Sequence, residues 1–560
     1  MNRRDLLINT AIAVTSYGLI TGAVKAQSKN LPVSPSLPSL LKAHHNLAWV
    51  TLAEKLKPPL IEREVAAVAI VTASTEKDSL QQWIMVKDQR YSLSSVNEVP
   101  LHTGESVIID FAEHLTGFLS FNVNWVGRGN DAPTRLRLIF GEVPNDVIDP
   151  LYPYSGKLSA SWLPDEIINI DHIPASIDIP RRHAFRYVKI EVMSASTNFG
   201  ITLNNIRTSA VSSAGNDRYP LDHSLSAEWQ RIDAISLKTL HECMQTTFED
   251  GPRRDQRLWL GDLRLQAITN YVSYGKNDLV KRCLYLFAGL ANSEGLITAC
   301  VYEKPSPSAG EGVMLDYAAL FGPTLVDYWQ ATGDQQTLMQ LLPLAIRQLT
   351  LITERYLDPK GLIQVPNRPF TFIDWQEGLD KQGAMQGLLI YCCRRVREVT
   401  TWLSDSNASA QLDTLIQRMT TAARQWLWRD DLQLFISGEI KQLSWATQIW
   451  MVLAGVVGRT QGSQLLHRVM AQPEAVTPLT PYLYHHLVSA FVACDDSESG
   501  RNVVLNYWGV MARGGVDTFW EAFDPHNPAA SPYGATQINS YCHAWSCTPA
   551  YFIRTKFSQA

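Results

Sequence analysis

Between residues 65 and 212 the chain alternates. The runs SVIIDFAEHLTGFLSFNVNWV (106–126), TRLRLIFGEV (134–143), AFRYVKIEVM (184–193) and GITLNNIRTSAV (200–211) set β-branched and aromatic residues at every second position, with Gly, Asn, Asp and Pro clusters between them. Successive side chains of a strand point to opposite faces, so such runs make antiparallel strands that bury one face. The pattern predicts a β-sandwich of jelly-roll type over 65–214. The turn-rich stretch GNDRYPLDHSLS (215–226) closes it as a linker. From Ala227 the period changes to 3.6, as in EWQRIDAISLKTLHECMQTTF (228–248), MLDYAALFGPTLVDYWQATG (314–333), LMQLLPLAIRQLTLITERYL (338–357) and GAMQGLLIYCCRRVREVTTWL (383–403). This predicts an all-α domain of ten or more helices across 227–560, with the clear helical period fading near residue 495. No strict repeat shows itself, which favours a closed (α/α)6 toroid over a repeat array and would gather the charge-rich loops at one mouth.

At 560 residues the chain exceeds what one core usually holds, so two domains are the natural reading. A net charge of −5 gives no electrostatic reason to expect a nucleic-acid partner. The first 26 residues read as a leader: Arg3 and Arg4, a modest apolar run from Ala11 to Ala23, then Val24-Lys25-Ala26. A twin arginine before a short apolar region with small residues at −3 and −1 implies Tat-type export and a periplasmic or secreted protein. Residues 27–64 form an N-terminal segment. No later run reaches the roughly 20 apolar residues of a membrane span, so no integral membrane segment is expected in the mature chain. The eight cysteines have no metal-site spacing and read mostly as buried apolar fillers. No cofactor or metal is implied.

Sixteen tryptophans and twenty tyrosines suit stacking on sugar rings as well as filling a core. The densest chemistry lies in FEDGPRRDQRLWLGDLRLQA (248–267), with three aspartates, four arginines and a tryptophan ahead of an apolar-periodic helix. Cleaving a glycosidic bond needs one protonated carboxyl at the leaving oxygen and a second carboxylate across the ring. Asp255, Trp259 and Asp262 would share one helical face if the helix began that early. Equally, Asp262 caps the helix and the Arg/Asp pairs form a surface network. Asp374, Trp375 and Glu377 sit at a loop-to-helix junction, where acids also serve a helix dipole. His485, His486 and His543 read either as hydrogen-bond donors or as core histidines, and Glu303 and Glu311 flank a rim loop, PSPSAG.

The run D250-G-P-R-R-D255-Q-R-L-W-L-G-D262 resembles the active-site motif of the bacterial α-L-rhamnosidases, glycoside hydrolase family 78, a six-hairpin glycosidase family. The resemblance extends to DFAEHLTGFLSFNV, RLRLIFGEV and FRYVKIEVM in the jelly roll. In the barrel it extends to FIDWQEGLDKQGAMQGLLIYC, TPYLYHHL, YWGVMARGGVDTFWEAFDP and SYCHAWSCTPAYFI, in the family's order over about 65 to 555. It implies Asp255 as general acid and Glu521 as general base, in an inverting hydrolysis that releases terminal α-L-rhamnose or a related deoxy sugar. Asp250 and Asp262 would bind hydroxyls and Arg254 would orient the acid. Trp259, Trp520, His543 and Trp545 would line the sugar pocket, and Asp374 and Trp375 join them as candidates by their place at the toroid mouth. Many members carry a glutamate one position later, where this chain has Gln256. The family's usual C-terminal β-sandwich is expected to be absent or reduced. Two alternatives stand beside this reading: a sugar-binding protein with an inactive pocket, and another (α/α)6 carbohydrate enzyme, a lyase or phosphorylase.

Overall fold

The computed structural model describes residues 46–557 except 78, 130, 222, 223 and 311. The expected signal peptide and Glu311 lie outside the described residues. A helix, α1 (Leu47–Lys55), precedes nine strands. These are β1 (Ile61–Ala66), β2 (Ala69–Thr75), β3 (Trp83–Lys87), β4 (Ser106–Gly127), β5 (Thr134–Gly141), β6 (Asp165–Ile170), β7 (Ala175–Asp178), β8 (His183–Ser194) and β9 (Phe199–Ser212). A short helix, α2 (Pro144–Ile148), follows β5.

The 22-residue β4 carries the architecture. Its first part pairs with β2 and β8, its later part with β9 and β7. Its register against β8 breaks between Asp110 and Leu115, where Ala112 takes a φ of 61°. A bulge of this kind bends a strand, and here it carries β4 from one layer, β3-β2-β4-β8-β5-β6, into a second, β1-β9-β4-β7. Phe111, Phe121, Phe140, Phe185 and Phe199 fill the core of this β-sandwich. Phe185 meets Phe111 and Phe140 edge-on at 5.6 and 5.2 Å.

Twelve helices follow among the described residues: α3 (Ala227–Cys243), α4 (Leu260–Tyr271), α5 (Asn277–Gly289), α6 (Leu315–Thr332), α7 (Gln335–Tyr356), α8 (Gln382–Trp402), α9 (Ser406–Ala422), α10 (Trp445–Leu453), α11 (Arg459–Met470), α12 (Pro481–Ala493), α13 (Ser497–Arg513) and α14 (Pro549–Thr555). They form the (α/α)6 toroid. The inner ring is read from burial: every residue of α4 from Leu260 to Asn270 is buried. The outer α9 buries only the stripe Leu412, Ile416, Met419 and Ala422, as an amphipathic surface helix does. Links from inner to outer helices are short, such as 333–334 and 403–405. Links from outer to inner helices are longer, such as 244–259, 290–314, 357–381 and 514–548, and all of them emerge at the N-termini of the inner helices. The chemistry-bearing loops therefore share one mouth.

The helical run extends further than the periodic reading. The helices continue past 495, because α13 and α14 complete the ring; the aperiodic 514–548 hides this continuation. Residues 47–55 of the N-terminal segment are helical and pack on α5, where the buried Arg282 donates to the Ala53 carbonyl at 2.7 Å. No helix among the described residues is long and apolar enough to cross a membrane. All eight cysteines are buried and free, consistent with their reading as apolar fillers.

Candidate active site

The first wall of the site is the α3–α4 loop. Helix α4 starts only at Leu260, and Trp259 is extended (φ −103°, ψ 138°). With Leu258 it forms a two-residue strand, β10, paired with β11 (Cys300–Tyr302). Asp255, Trp259 and Asp262 thus share no helical face, and the i+4, i+7 reading is corrected: strand pairing holds Trp259 instead. Asp255 and Gln256 sit at φ 57° and 49°. Two consecutive left-handed residues other than glycine cost on the order of 1–3 kcal/mol each. In this turn Arg254 lies buried and the Asp255 side chain keeps 20% exposure. Gln256 folds back to donate to the Pro252 carbonyl at 2.8 Å.

Residues 517–546 form the facing wall. Glu521 N–H donates to Ser540 O at 3.1 Å and His543 N–H to Phe519 O at 3.0 Å. Thr518 Oγ1 donates to Tyr541 O at 2.8 Å. Ala544 N–H reaches Asp250 O at 2.9 Å, which ties the two walls together. Here Glu521 is held at both oxygens: Arg254 Nη2 pairs with Oε2, and the Tyr533 hydroxyl donates to Oε1. Arg254 also lies 4.4 Å over the Tyr533 ring, donates from Nε to Ile538 O at 2.7 Å, and places Nη1 3.9 Å from Asp255 Oδ1. One guanidinium therefore touches both candidate catalytic carboxylates. Its own span keeps them within about 9 Å of each other, below the ceiling of the ~6.5–9.5 Å that leaves room for a water in inverting hydrolysis. Arg254 was expected to orient the acid, yet its closer partner is Glu521.

Between the walls lie Asp250 and Asp262. Asp250 Oδ1 accepts from Arg257 N–H at 3.1 Å. Burial, then the charges of Asp255 and Asp262, push its pKa well above its ordinary value. Asp262 is also raised by burial, against the pull of His543, whose Nε2 lies 3.0 Å from Asp262 Oδ1. With the carboxylate accepting, His543 Nδ1 is left buried without a partner among the described residues. Trp545 Nε1 donates to the Glu521 carbonyl at 2.9 Å, and its ring stacks on Phe372 at 5.5 Å. Trp375 meets Tyr533 edge-on at 5.8 Å. The indole nitrogens of Trp259, Trp375 and Trp520 are buried without a partner among the described residues.

Other residues hold the frame. Asp374 accepts from Leu479 and Thr480 N–H at 2.8 and 3.0 Å and from the Thr480 hydroxyl. Both its oxygens are thus committed to the start of α12, and burial raises its pKa to about 6. Its loop brings Trp375 to the site. His485 and His486 are buried in α12; His486 lies 4.4 Å from the Trp450 ring and Nδ1 is 2.8 Å from Tyr482 O. Glu377 is exposed, and Glu303 pairs with Arg282 and Lys57. Tyr533 escaped the sequence reading because it stands in PHNPAASPYGA, a loop without periodicity. Among the described residues no group of three or more His, Cys, Asp or Glu is placed to hold a metal.

Family models match both domains: the glycosyl hydrolase family 78 α-rhamnosidase N-terminal domain over 67–210 and the bacterial α-L-rhamnosidase six-hairpin glycosidase domain over 226–454. No curated protein matches significantly. Among solved structures, a rhamnosidase from Klebsiella oxytoca with rhamnose bound is 40% identical, with a TM-score of 0.88, covering 91% of this chain and 98% of its own. The chain belongs to glycoside hydrolase family 78. This α-L-rhamnosidase family also includes the enzyme of Bacillus sp. GL1, which is 21% identical at a TM-score of 0.68 over 84% of this chain and 49% of that one. An α-L-rhamnosidase from Streptomyces avermitilis complexed with L-rhamnose shares the fold at 15% identity and a TM-score of 0.62, covering 89% of this chain and 44% of that one. The protein is thus a glycoside hydrolase of the α-L-rhamnosidase type, with a β-sandwich followed by an (α/α)6 toroid.

Proposed function

We propose that this family 78 enzyme releases terminal α-L-rhamnose, or a closely related deoxy sugar, from oligosaccharides, polysaccharides or glycosides with inversion. Asp255 protonates the leaving oxygen, and Glu521 takes a proton from the water that attacks C1 from the opposite face. The observation that carries this reading is the shared Arg254: one buried guanidinium meets Asp255 on one wall and Glu521 on the other. Asp255 is the more solvent-exposed of the two, as a proton donor to an outward-leaving group must be. Glu521, fixed at both oxygens, suits the aiming of a water. Asp262, His543 and Asp250 bind ring hydroxyls, and the indole donors of Trp259, Trp375 and Trp520 add polar contacts. The K. oxytoca rhamnosidase, similar over nearly its whole length, has rhamnose bound.

The test is hydrolysis of p-nitrophenyl α-L-rhamnopyranoside by the wild type, Asp255→Asn and Glu521→Gln. The expected result is turnover by the wild type and a loss of at least 10²-fold in both variants. Turnover by either variant at the wild-type rate would remove that residue from its role. Rhamnose binding without wild-type turnover would favour a binding protein.

We also propose Tat-dependent export. The motif Arg3-Arg4 supports it, and loss of the periplasmic or secreted fraction in an Arg3→Lys, Arg4→Lys variant would test it.

A further inference from the structure

The sandwich reaches into the back of the site through a small buried charge network. Glu142, the residue after β5, accepts the Tyr541 backbone N–H at Oε2 at 2.6 Å, and its Oε1 lies 3.0 Å from His114 Nε2 of β4. Arg253 Nη1 lies 2.5 Å from Asp146 of α2 and 3.6 Å from Glu142 Oε2. Its Nη2 donates to Gln537 O at 2.9 Å. Asp146 is in turn held by the backbone N–H of Glu142 at 2.9 Å. His114 and Glu142 side chains are fully buried, and Arg253 and Asp146 nearly so. Arg253 precedes Arg254 and Asp255 in the acid loop, and Tyr541 follows Ser540, the backbone partner of Glu521. The Tyr533 loop is braced from the same side, since Lys157 N–H donates to Tyr533 O at 2.8 Å and Gln537 Nε2 to Pro150 O at 3.2 Å.

We infer that Glu142 is a positioning residue of the active site, a sandwich carboxylate that grips the acid loop through Arg253 and the base hairpin through Tyr541 and so sets the spacing of Asp255 and Glu521. The inference rests on the acid and base roles proposed above. A desolvated charge cluster joins two chain segments firmly when every member is paired and leaves an uncompensated charge when one member is removed. The bond from Glu142 to Tyr541 N–H and the approach to Arg253 come from one carboxylate oxygen, so moving that carboxylate displaces both walls at once. Misplacement of catalytic groups by about 1 Å costs about 10²-fold in rate. Of the sugar-hydroxyl contacts, Asp262 stands on α4, outside both gripped segments, and pairs with His543 at 3.0 Å.

The experiment compares the full chain with Glu142→Ala, Glu142→Gln, Arg253→Lys and, as a control, Glu521→Gln. It measures kcat and KM on the p-nitrophenyl rhamnoside, L-rhamnose affinity by calorimetry, and folding by circular dichroism. The expected result is native spectra, kcat reduced at least tenfold in Glu142→Ala and less in Glu142→Gln, which still accepts from Tyr541. Rhamnose affinity stays within threefold. A folded Glu142→Ala with kcat within twofold of wild type overturns the inference, as does a parallel loss of rhamnose affinity and kcat. If Glu142→Ala does not fold, unchanged kcat in both Glu142→Gln and Arg253→Lys overturns it and a reduced kcat in either supports it. Full activity in Glu521→Gln would instead defeat the functional reading.

Discussion

Arg254 is ion-paired to Glu521 while its other terminal nitrogen stands 3.9 Å from Asp255. The pair is buried, and its guanidinium is locked from behind by Ile538 O and the Tyr533 ring. A buried arginine of this kind is rigid, and its planar fork fixes the direction of a carboxylate in a way lysine does not. Arg254→Met frees Glu521 and leaves its carboxylate without a buried counter-charge. The expected outcome is a kcat lower by about 10²-fold, read by steady-state kinetics on the aryl rhamnoside. Arg254→Lys should fall between this variant and the wild type.

Tyr533 is expected to act on the rate and little on binding. Its hydroxyl donates to Glu521 Oε1, and Tyr533→Phe deletes that bond while preserving the ring over Arg254. A net hydrogen bond to a charged group is worth about 1.5–3 kcal/mol, so kcat should drop by roughly 10- to 100-fold with KM within about threefold. An unchanged kcat would place the Tyr533 hydroxyl outside the machinery.

Asp262 and His543 should show the opposite division. Their contact, at 3.0 Å, lies between the two walls. Asp262→Asn weakens hydroxyl binding and alters the His543 partner, and the expected result is a KM raised about tenfold or more, with a smaller effect on kcat. Direct calorimetry with L-rhamnose checks the binding component.

The buried histidines of α12 set an acid limit on stability. Burial first, then Arg264, pushes the pKa of His486 down to about 3, and His485 is also well below its ordinary value. Between pH 6.5 and about 3 the unfolded chain therefore binds protons that these folded rings refuse. Their contribution is fully present above pH 6.5 and is lost as pH falls, by about 4–5 kcal/mol for His486 alone across the window. Asp374, raised to about 6, slopes the other way: its contribution is present at low pH and is lost as pH rises from about 4 to 6. Comparing melting temperatures of wild type and His486→Gln from pH 7 to 4 isolates the histidine. The variant should lose less on acidification, and parallel curves would contradict the assignment.

Much of the architecture was legible because period reports the buried face. The alternation of β4 and β8 and the 3.6 period of α6 to α8 follow from how strands and helices present side chains. The acids at 250–262 were also visible, although their density alone suited a capped helix with a surface network as well, and the family resemblance is what pointed to a site. The backbone at Asp255 and Gln256 was not: both take a positive φ, and no glycine marks it. Glu142 and Arg253 meet Tyr541 and Gln537 across hundreds of positions, and Tyr533 reaches Glu521 from a loop without periodicity. Asp374 shows the converse, an acid whose loop position suggested contact with sugar, and whose oxygens are taken up by the backbone of Leu479 and Thr480.

The proposed hydrolysis is a single displacement by water, with Asp255 as acid and Glu521 as base. The most direct test is proton NMR of the first sugar released from p-nitrophenyl α-L-rhamnopyranoside, recorded before mutarotation. The β anomer appearing first, and lost in Glu521→Gln, is the predicted result; the α anomer appearing first would require a covalent glycosyl intermediate and contradict the role of Glu521.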